Sequence, residues 1–227
     1  MADMLTTGVS GLLAFQRALD TTSHNIANAA TPGYNRQSVD LATQGADPLG
    51  NGWVGRGVQV VDIRRAFDAA LSGQVRSATS GFQQLDTVAT LASRIDNLFS
   101  DANTGLATTL QQFTNAAQGV ANAPTSTAAR QVLLSQAGTL VSRLRSYNDS
   151  LNTIGAQIDT QLGSEASSVT SLAQSIADIN RQIVAARGQN QQPPNDLLDQ
   201  RDRLVDQLSQ HVSVSTVAQS DGSVSVF

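Results

Sequence analysis

The sequence predicts a mainly α protein, an elongated antiparallel helical bundle or coiled coil with one helix of about 60 residues. Three observations predict it. Apolar residues recur at three- and four-residue steps through most of the chain. One long segment contains no proline. Aromatic residues make up only 4% of the 227 residues, which favours long helices packed through small side chains over a single globular core.

The first helix is predicted from residue 3 to about residue 28. Its spacing forms a heptad seam, the line of side chains that faces a partner helix in a coiled coil. Two seam positions are polar, and the seam consists of Leu5, Val9, Leu12, Gln16, Leu19, Ser23 and Ile26. The helix must end by residues 31–33, because Pro32 disfavours helical geometry in the residue before it.

A small extended or β arm is expected after the first helix. Residues 35–51 have no helical period and contain several glycines, and residues 58–63 form a short β-prone run. The stretch 50–57 superficially resembles a phosphate-binding loop, but it lacks the preceding strand and the following helix that such a loop needs. Trp53 in this stretch is instead expected to be a buried or interfacial anchor.

Two further helices are predicted between residues 67 and 124. The longer one extends to about Phe99, with seam positions Phe67, Leu71, Ala78, Phe82, Leu85, Ala89 and Ala92. The shorter one ends before Pro124, with seam positions Leu106, Leu110, Phe113, Ala117 and Val120.

The long helix begins after Thr125 and Ser126, either of which can cap it, and continues to about Arg187. Its seam contains two consecutive four-residue steps ending at Leu162, a stutter that locally unwinds a left-handed supercoil. About 60 helical residues span ~90 Å, roughly twice the width of a compact globule of this length. We therefore expect a rod of antiparallel helices.

A break, a fifth helix and a β-hairpin are predicted for the rest of the chain. Residues 188–194 form the break, and Asn195 is expected to cap the helix that follows. Alternating valines on both sides of Asp221-Gly222 predict the C-terminal hairpin, which starts a β domain. Only one short strand follows that turn, so we expect the natural protein to continue beyond Phe227.

Composition excludes several functions. The chain has no Cys, hence no disulfide, no thiolate nucleophile and no cysteine metal site. A net charge of −4 without a basic run argues against nucleic acid as a partner. No apolar run approaches the ~20 residues of a membrane helix, so no membrane partner is expected. The N-terminus lacks the positive region of a cleavable signal peptide. No cofactor or metal is predicted.

The titratable residues do not form a catalytic pattern. His24 and His211 have no Ser or Cys constellation around them and are expected to be solvated or interface histidines. Four carboxylates recur on one face of the fifth helix, interleaved with Arg201 and Arg203, and this pattern predicts a solvated, salt-bridged face: Asp196, Asp199, Asp202 and Asp206. No catalytic residue is predicted, and the abundance of packing surface favours assembly over catalysis.

Two stretches carry a family resemblance. Residues 10–28, which contain Asn25-Ile26-Ala27-Asn28, and the following Thr31-Pro32-Gly33-Tyr34-Asn35-Arg36 resemble the N-terminal signature of bacterial flagellar rod, hook and hook-associated proteins. A second stretch, Pro194 to Asp202 followed by Leu204 and Leu208-Ser209, looks like the hook-associated protein 1 family of the hook–filament junction. The resemblance spans essentially the whole chain.

The resemblance implies a structural subunit of the extracellular bacterial flagellum. Members are exported unfolded through the flagellar type III apparatus, and their N- and C-terminal helices pair around the axis. Implied partners are copies of the same chain, the hook protein, the next hook-associated protein, the export apparatus and a dedicated export chaperone. The chaperone site is expected in a C-terminal part that follows residue 227.

The resemblance also implies a domain division and an assembly motif. Residues 1–34 would be the axial-core helix, 35–65 the arm, 66–211 the elongated helical bundle and 212–227 the start of a β-rich domain. The assembly motif consists of Leu5, Val9, Leu12, Leu19, Asn25, Ile26, Asn28, Thr31, Gly33 and Tyr34. Since the seam of residues 1–34 is too polar to fold alone, we predict that this segment is disordered or only weakly ordered in the isolated subunit and ordered in the assembly.

Two alternatives stay open. A flagellar rod or hook protein shares the first stretch, but the long central helix and residues 195–209 speak against it. A coiled-coil signalling or adaptor protein has similar seams, but it does not explain the motif at residues 25–34.

Overall fold

The computed structural model describes residues 2–99, 105–190 and 194–227. Its helices are α1 (Ala2–Ala27), α2 (Ala69–Phe99), α3 (Leu106–Asn122), α4 (Thr127–Asn190) and α5 (Asn195–Leu208). The mainly α fold with one helix of 64 residues is confirmed. The predicted break begins later than expected, because α4 continues to Asn190, and residues 191–193 lie outside the described part.

The predicted arm folds as two antiparallel ladders. Its strands are β1 (Gln37–Thr43), β2 (Ala46–Leu49), β3 (Gly52–Gly55) and β4 (Val58–Arg65). Strand β1 pairs with β4, and β2 pairs with β3 beyond them. The register shifts between Asp40 and Leu41, where an irregularity interrupts the β1–β4 ladder. Trp53 in β3 is not buried, since 74% of it is exposed.

The C-terminal hairpin is confirmed, with strands β5 (Thr216–Ala218) and β6 (Val224–Val226). Gly222 in its turn has a φ of 91°, which favours glycine. The side chain of Asn180 on α4 forms two hydrogen bonds with the backbone of β6. Its Nδ2 donates to the Val224 carbonyl at 2.9 Å, and the Val224 amide donates to its Oδ1 at 3.2 Å.

The chain divides into two compact units. The first comprises residues 1–81 and 169–227, and its core contains Ile176, Val205 and Leu208 from α4 and α5. The second comprises residues 82–168 and contains a stacked pair of rings, Phe99 and Tyr147, with centroids 5.1 Å apart. At the start of α4, the Ser126 hydroxyl accepts from the Ala129 amide at 3.2 Å, as the capping prediction requires.

The two N-terminal heptad seams lie on the outside of this chain. Helix α1 contacts β1 and β4 through a face of small and polar residues, including Ala14 and Thr21, and its apolar seam is exposed. Helix α2 likewise exposes the seam residues Phe82 and Leu85, whereas Arg76 is buried. The periodicity therefore identifies helices correctly, but the seam is not the face that packs within this chain.

Candidate functional site

The turn that follows α1 is built by the predicted motif. Asn28 accepts at its carbonyl from the Thr31 amide at 2.9 Å, and the Thr31 carbonyl accepts from the Tyr34 amide at 3.2 Å. Gly33 has a φ of 74°, and a Cβ there would collide with the side chain of Arg203 on α5. Glycine therefore meets both a backbone and a packing requirement at this position.

Asn25 ties the last turn of α1 to the start of β1. Its Nδ2 donates to the Gln37 carbonyl, and its Oδ1 accepts from the Gln37 amide, both at 2.8 Å. The same Oδ1 accepts from the Tyr34 hydroxyl at 2.7 Å. The Asn carboxamide carries a donor and an acceptor on separate atoms, so it can bond the carbonyl and the amide of one backbone residue at the same time.

His24 is half-buried and belongs to the same network. Its Nδ1 lies 3.0 Å from the Tyr34 hydroxyl oxygen. Because that hydroxyl gives its proton to Asn25, Nδ1 must be the donor, which assigns the tautomer. Its Nε2 lies 4.0 Å from the carboxylate of Asp196. Burial raises the pKa of Tyr34, and the negative charges of Asp196 and Asp199 raise it further.

Asp199 on α5 is the point where the two resembling stretches meet. Its Oδ2 accepts from the Asn35 amide at 2.9 Å, and its Oδ1 accepts from Asn35 Nδ2 at 2.7 Å. The same Oδ1 accepts from Arg65 Nη1 at 2.8 Å. Only 4% of Asp199 is exposed. A buried carboxylate needs such charged and hydrogen-bonded partners, since its desolvation is costly.

The prediction of a solvated, salt-bridged face on α5 is therefore wrong about solvation for Asp199 and Asp202, which are buried, whereas both form ion pairs. Arg65 Nη1 also lies 2.6 Å from Asp202 Oδ2, and Arg201 Nη1 donates to the Gly222 carbonyl at 2.9 Å. Burial lowers the pKa of Arg201, and the negative charge of Asp202 offsets part of that lowering. The spacing places these residues on one helix face, but it does not reveal that β4 and the C-terminal hairpin cover that face.

Other residues of α5 also contact residues of the arm and of α2. The sequence had suggested that Asn195 caps α5. Asn195 is instead the first residue of the helix, and its Nδ2 donates to the Ile63 carbonyl at 2.6 Å. Asp196 accepts from Gln37 Nε2 at 3.2 Å, and Asp206 accepts from Arg76 Nε on α2 at 2.6 Å. His211 lies beyond the end of α5 and is exposed.

The assembly motif predicted from the sequence thus separates into two groups. Five residues build the turn and its network: Asn25, Asn28, Thr31, Gly33 and Tyr34. Five form an exposed surface on α1, here named the apolar face: Leu5, Val9, Leu12, Leu19 and Ile26. The sequence reasoning missed Asn35 and Arg65, because their partner Asp199 lies far along the chain. The available signal was an arginine at the end of a short β run.

The apolar face leaves more than half of each of its five side chains exposed. The exposed fractions of Leu5, Leu12 and Leu19 are 74%, 71% and 68%. Contiguous exposed apolar residues of this kind mark interaction surfaces. In the part of the chain that the structure describes, no helix is long and apolar enough to cross a membrane. Within the same ranges, no group of three or more His, Asp or Glu residues could hold a metal ion.

Family models match both ends of the chain. Residues 92–227 match the family described as the flagellar hook-associated protein FlgK helical domain. Residues 5–35 match the family described as flagella basal body rod protein. The first match covers more than half of the chain, including α5, and the second covers the turn that α5 contacts.

Similar proteins carry related names. Flagellar hook-associated protein 1 of Salmonella typhimurium is 35% identical over 98% of this chain and 40% of its own length. That of Escherichia coli K12 is 33% identical over 100% of this chain and 42% of its own length. The chain thus spans about two fifths of these relatives. The solved flagellar hook junction protein FlgK from Burkholderia pseudomallei matches with a TM-score of 0.62 and 34% identity, over 68% of this chain and 27% of that one.

Proposed function

The chain belongs to the family of the flagellar hook-associated protein FlgK, and on this premise we propose that it is a structural subunit of the bacterial flagellum at the hook–filament junction. The names of the similar proteins support this proposal. The observation that carries it is the apolar face of α1, which has heptad spacing and is exposed along its length. Such a face needs a helical partner to be covered.

The proposed partners are copies of the same chain, the hook protein and the next hook-associated protein. We place the protein in the extracellular flagellum, after export by the flagellar type III apparatus with the help of a dedicated chaperone. The proposed role is structural and not catalytic. The division into an axial-core helix (1–34), an arm (35–65), a helical bundle (66–211) and a β-rich domain from residue 212 is part of the same proposal.

The test replaces leucines of the apolar face by aspartate in the complete protein. Leu12→Asp and Leu19→Asp put a charge where a partner helix would pack, whereas both side chains are exposed in the chain itself. We expect normal folding and secretion, but loss of hook–filament junctions and of motility in a strain that lacks its own copy. Electron microscopy and swimming assays measure both.

The matched control is Leu134→Asp, which changes an equally exposed leucine on α4 in the second unit. We expect it to keep motility. Normal junctions with both α1 variants would contradict the proposal. Immunolabelling separates the rival rod or hook assignment, because the label should lie between hook and filament and not along either structure.

A further inference from the structure

The arm receives its long-range polar contacts from α5. Across the described residues, the hydrogen bonds that reach residues 32–65 over more than 100 positions come from this helix. The bonds between Asn35 and Asp199 join residues 164 positions apart, and that between Ile63 and Asn195 joins residues 132 apart. Closing so long a loop is entropically costly before the contacts form.

These contacts form a defined group, here named the arm latch: Asn35, Arg65, Asn195, Asp199 and Asp202. Its charged members are buried, with 10% of the Arg65 side chain and 5% of the Asp199 side chain exposed. A buried charge that loses its partner is strongly destabilising. Losing one member of the arm latch would therefore leave a buried charge without its partner, so we expect its contacts to form together.

We propose that the arm latch sets the order of folding: the arm takes its final position only once α5 has folded against it. This inference rests on the proposed function, in which the chain is exported unfolded. A chain delivered N-terminus first exposes its apolar face early. The arm is fixed only after residues 195–208 have arrived, because the carboxylates that Asn35 and Arg65 contact in the structure, Asp199 and Asp202, lie in that segment.

The first experiment measures when each segment becomes protected. Pulse-labelling hydrogen exchange during refolding of the 227-residue chain reports amide protection in β1, β4 and α5 as a function of time. We expect amides of β1 and β4 to gain protection together with α5 or after it. Protection of β1 and β4 before α5 would overturn the inference.

The second experiment uses substitutions and native-state exchange. Asn35→Ala removes one arm residue of the arm latch and keeps the pair of Arg65 and Asp199, whereas Asp199→Asn removes the negative charge that both arm residues contact. We expect exchange over residues 35–43 to become roughly tenfold faster or more in both variants. Exchange in α4 after residue 169 and in the β5–β6 hairpin should stay unchanged.

Asp178→Asn is the matched control, because Asp178 pairs with Arg181 on the exposed surface of α4. It should leave every segment unchanged. If exchange in the arm does not change in either variant, the arm latch does not hold the arm. If it rises equally in the arm and in the hairpin, the cluster serves only general stability. Either result overturns the inference.

The failure of this inference and that of the proposed function are distinguishable. The exchange experiments use the isolated chain and do not depend on assembly. In the complete protein, Asn35→Ala should reduce the number of junctions per cell even though the apolar face is intact. Normal junctions with a loosened arm would overturn the folding-order role and leave the structural role in place.

Discussion

At the scale of single residues, the contacts of the turn after α1, the arm and α5 depend on side chains that each have a specific hydrogen-bonding or steric role. Asn25 supplies one donor and one acceptor to Gln37, and Asp199 accepts from both Asn35 and Arg65. The resemblance identified Asn25 as a motif residue, whereas the bonds that explain it became visible only in the fold. Periodicity describes neighbours within a few turns, so it cannot identify partners more than 130 positions apart.

Gly33 offers a direct test of the turn after α1. Gly33→Ala should lower the free energy of unfolding by about 1–2 kcal/mol, because alanine disfavours a positive φ and its Cβ would displace Arg203. Urea denaturation measures the change. Gly45→Ala is the control, since a Cβ there meets no atom within 4 Å. Equal stability of the two variants would contradict the strained role of Gly33.

Tyr34 makes the stability of the turn after α1 depend on pH. Because burial and the charges of Asp196 and Asp199 raise its pKa above the ordinary 10.0, the fold favours the neutral phenol. Its stabilising contribution is fully present below pH 10.0 and is lost as the pH rises through the folded-state pKa. We expect phenolate absorbance to show a late titration that Tyr34→Phe removes.

The companion variant Asp196→Asn should lower the pKa of Tyr34, because it deletes one of the negative charges that raise this pKa. Tyr34→Phe also assigns the signal, since the chain has two tyrosines. A Tyr34 phenol that ionises at or below the ordinary value would refute the proposed environment.

At the scale of elements, the sequence predicted helix and strand positions well and burial less well. The long α4, the arm strands and the C-terminal hairpin lie where period and turn residues placed them. The acidic face of α5 was expected in solvent because its pattern resembles an exposed helix. Arg65 of β4 instead covers Asp199 and Asp202 at its centre, whereas Asp196 and Asp206 at its ends are exposed. The prediction that residues 1–34 become ordered only in the assembly stays a prediction, and the exposed seam of α1 is compatible with it.

The packing of α4 on α5 can be tested at Ile176, which is 3% exposed in the core of the first unit. Ile176→Ala should lower the free energy of unfolding by about 2–5 kcal/mol through lost burial and a residual cavity. Urea denaturation followed by helical circular dichroism measures it. Ile158→Ala, at a 41% exposed position of the second unit, should cost clearly less. The reverse order would contradict the described core.

At the scale of the whole molecule, the chain belongs to the family of the flagellar hook-associated protein FlgK, and its architecture is mainly helical. The composition alone excluded cysteine chemistry and disfavoured nucleic acid, because the chain has no Cys and a net charge of −4. The family resemblance supplied the motif residues. The contacts between the two resembling stretches could not be predicted, because they depend on how residues 25–65 fold back onto residues 195–203.

The two hydrogen bonds between Asn180 and Val224 affect whether a strand of another chain can pair with β6. A two-stranded hairpin has two open edges, and each can recruit a strand from another chain. The outward amide and carbonyl of Val224 are already bonded to the Asn180 carboxamide, which takes the place that a third strand would occupy. This edge of β6 is therefore closed to β-sheet aggregation at that point.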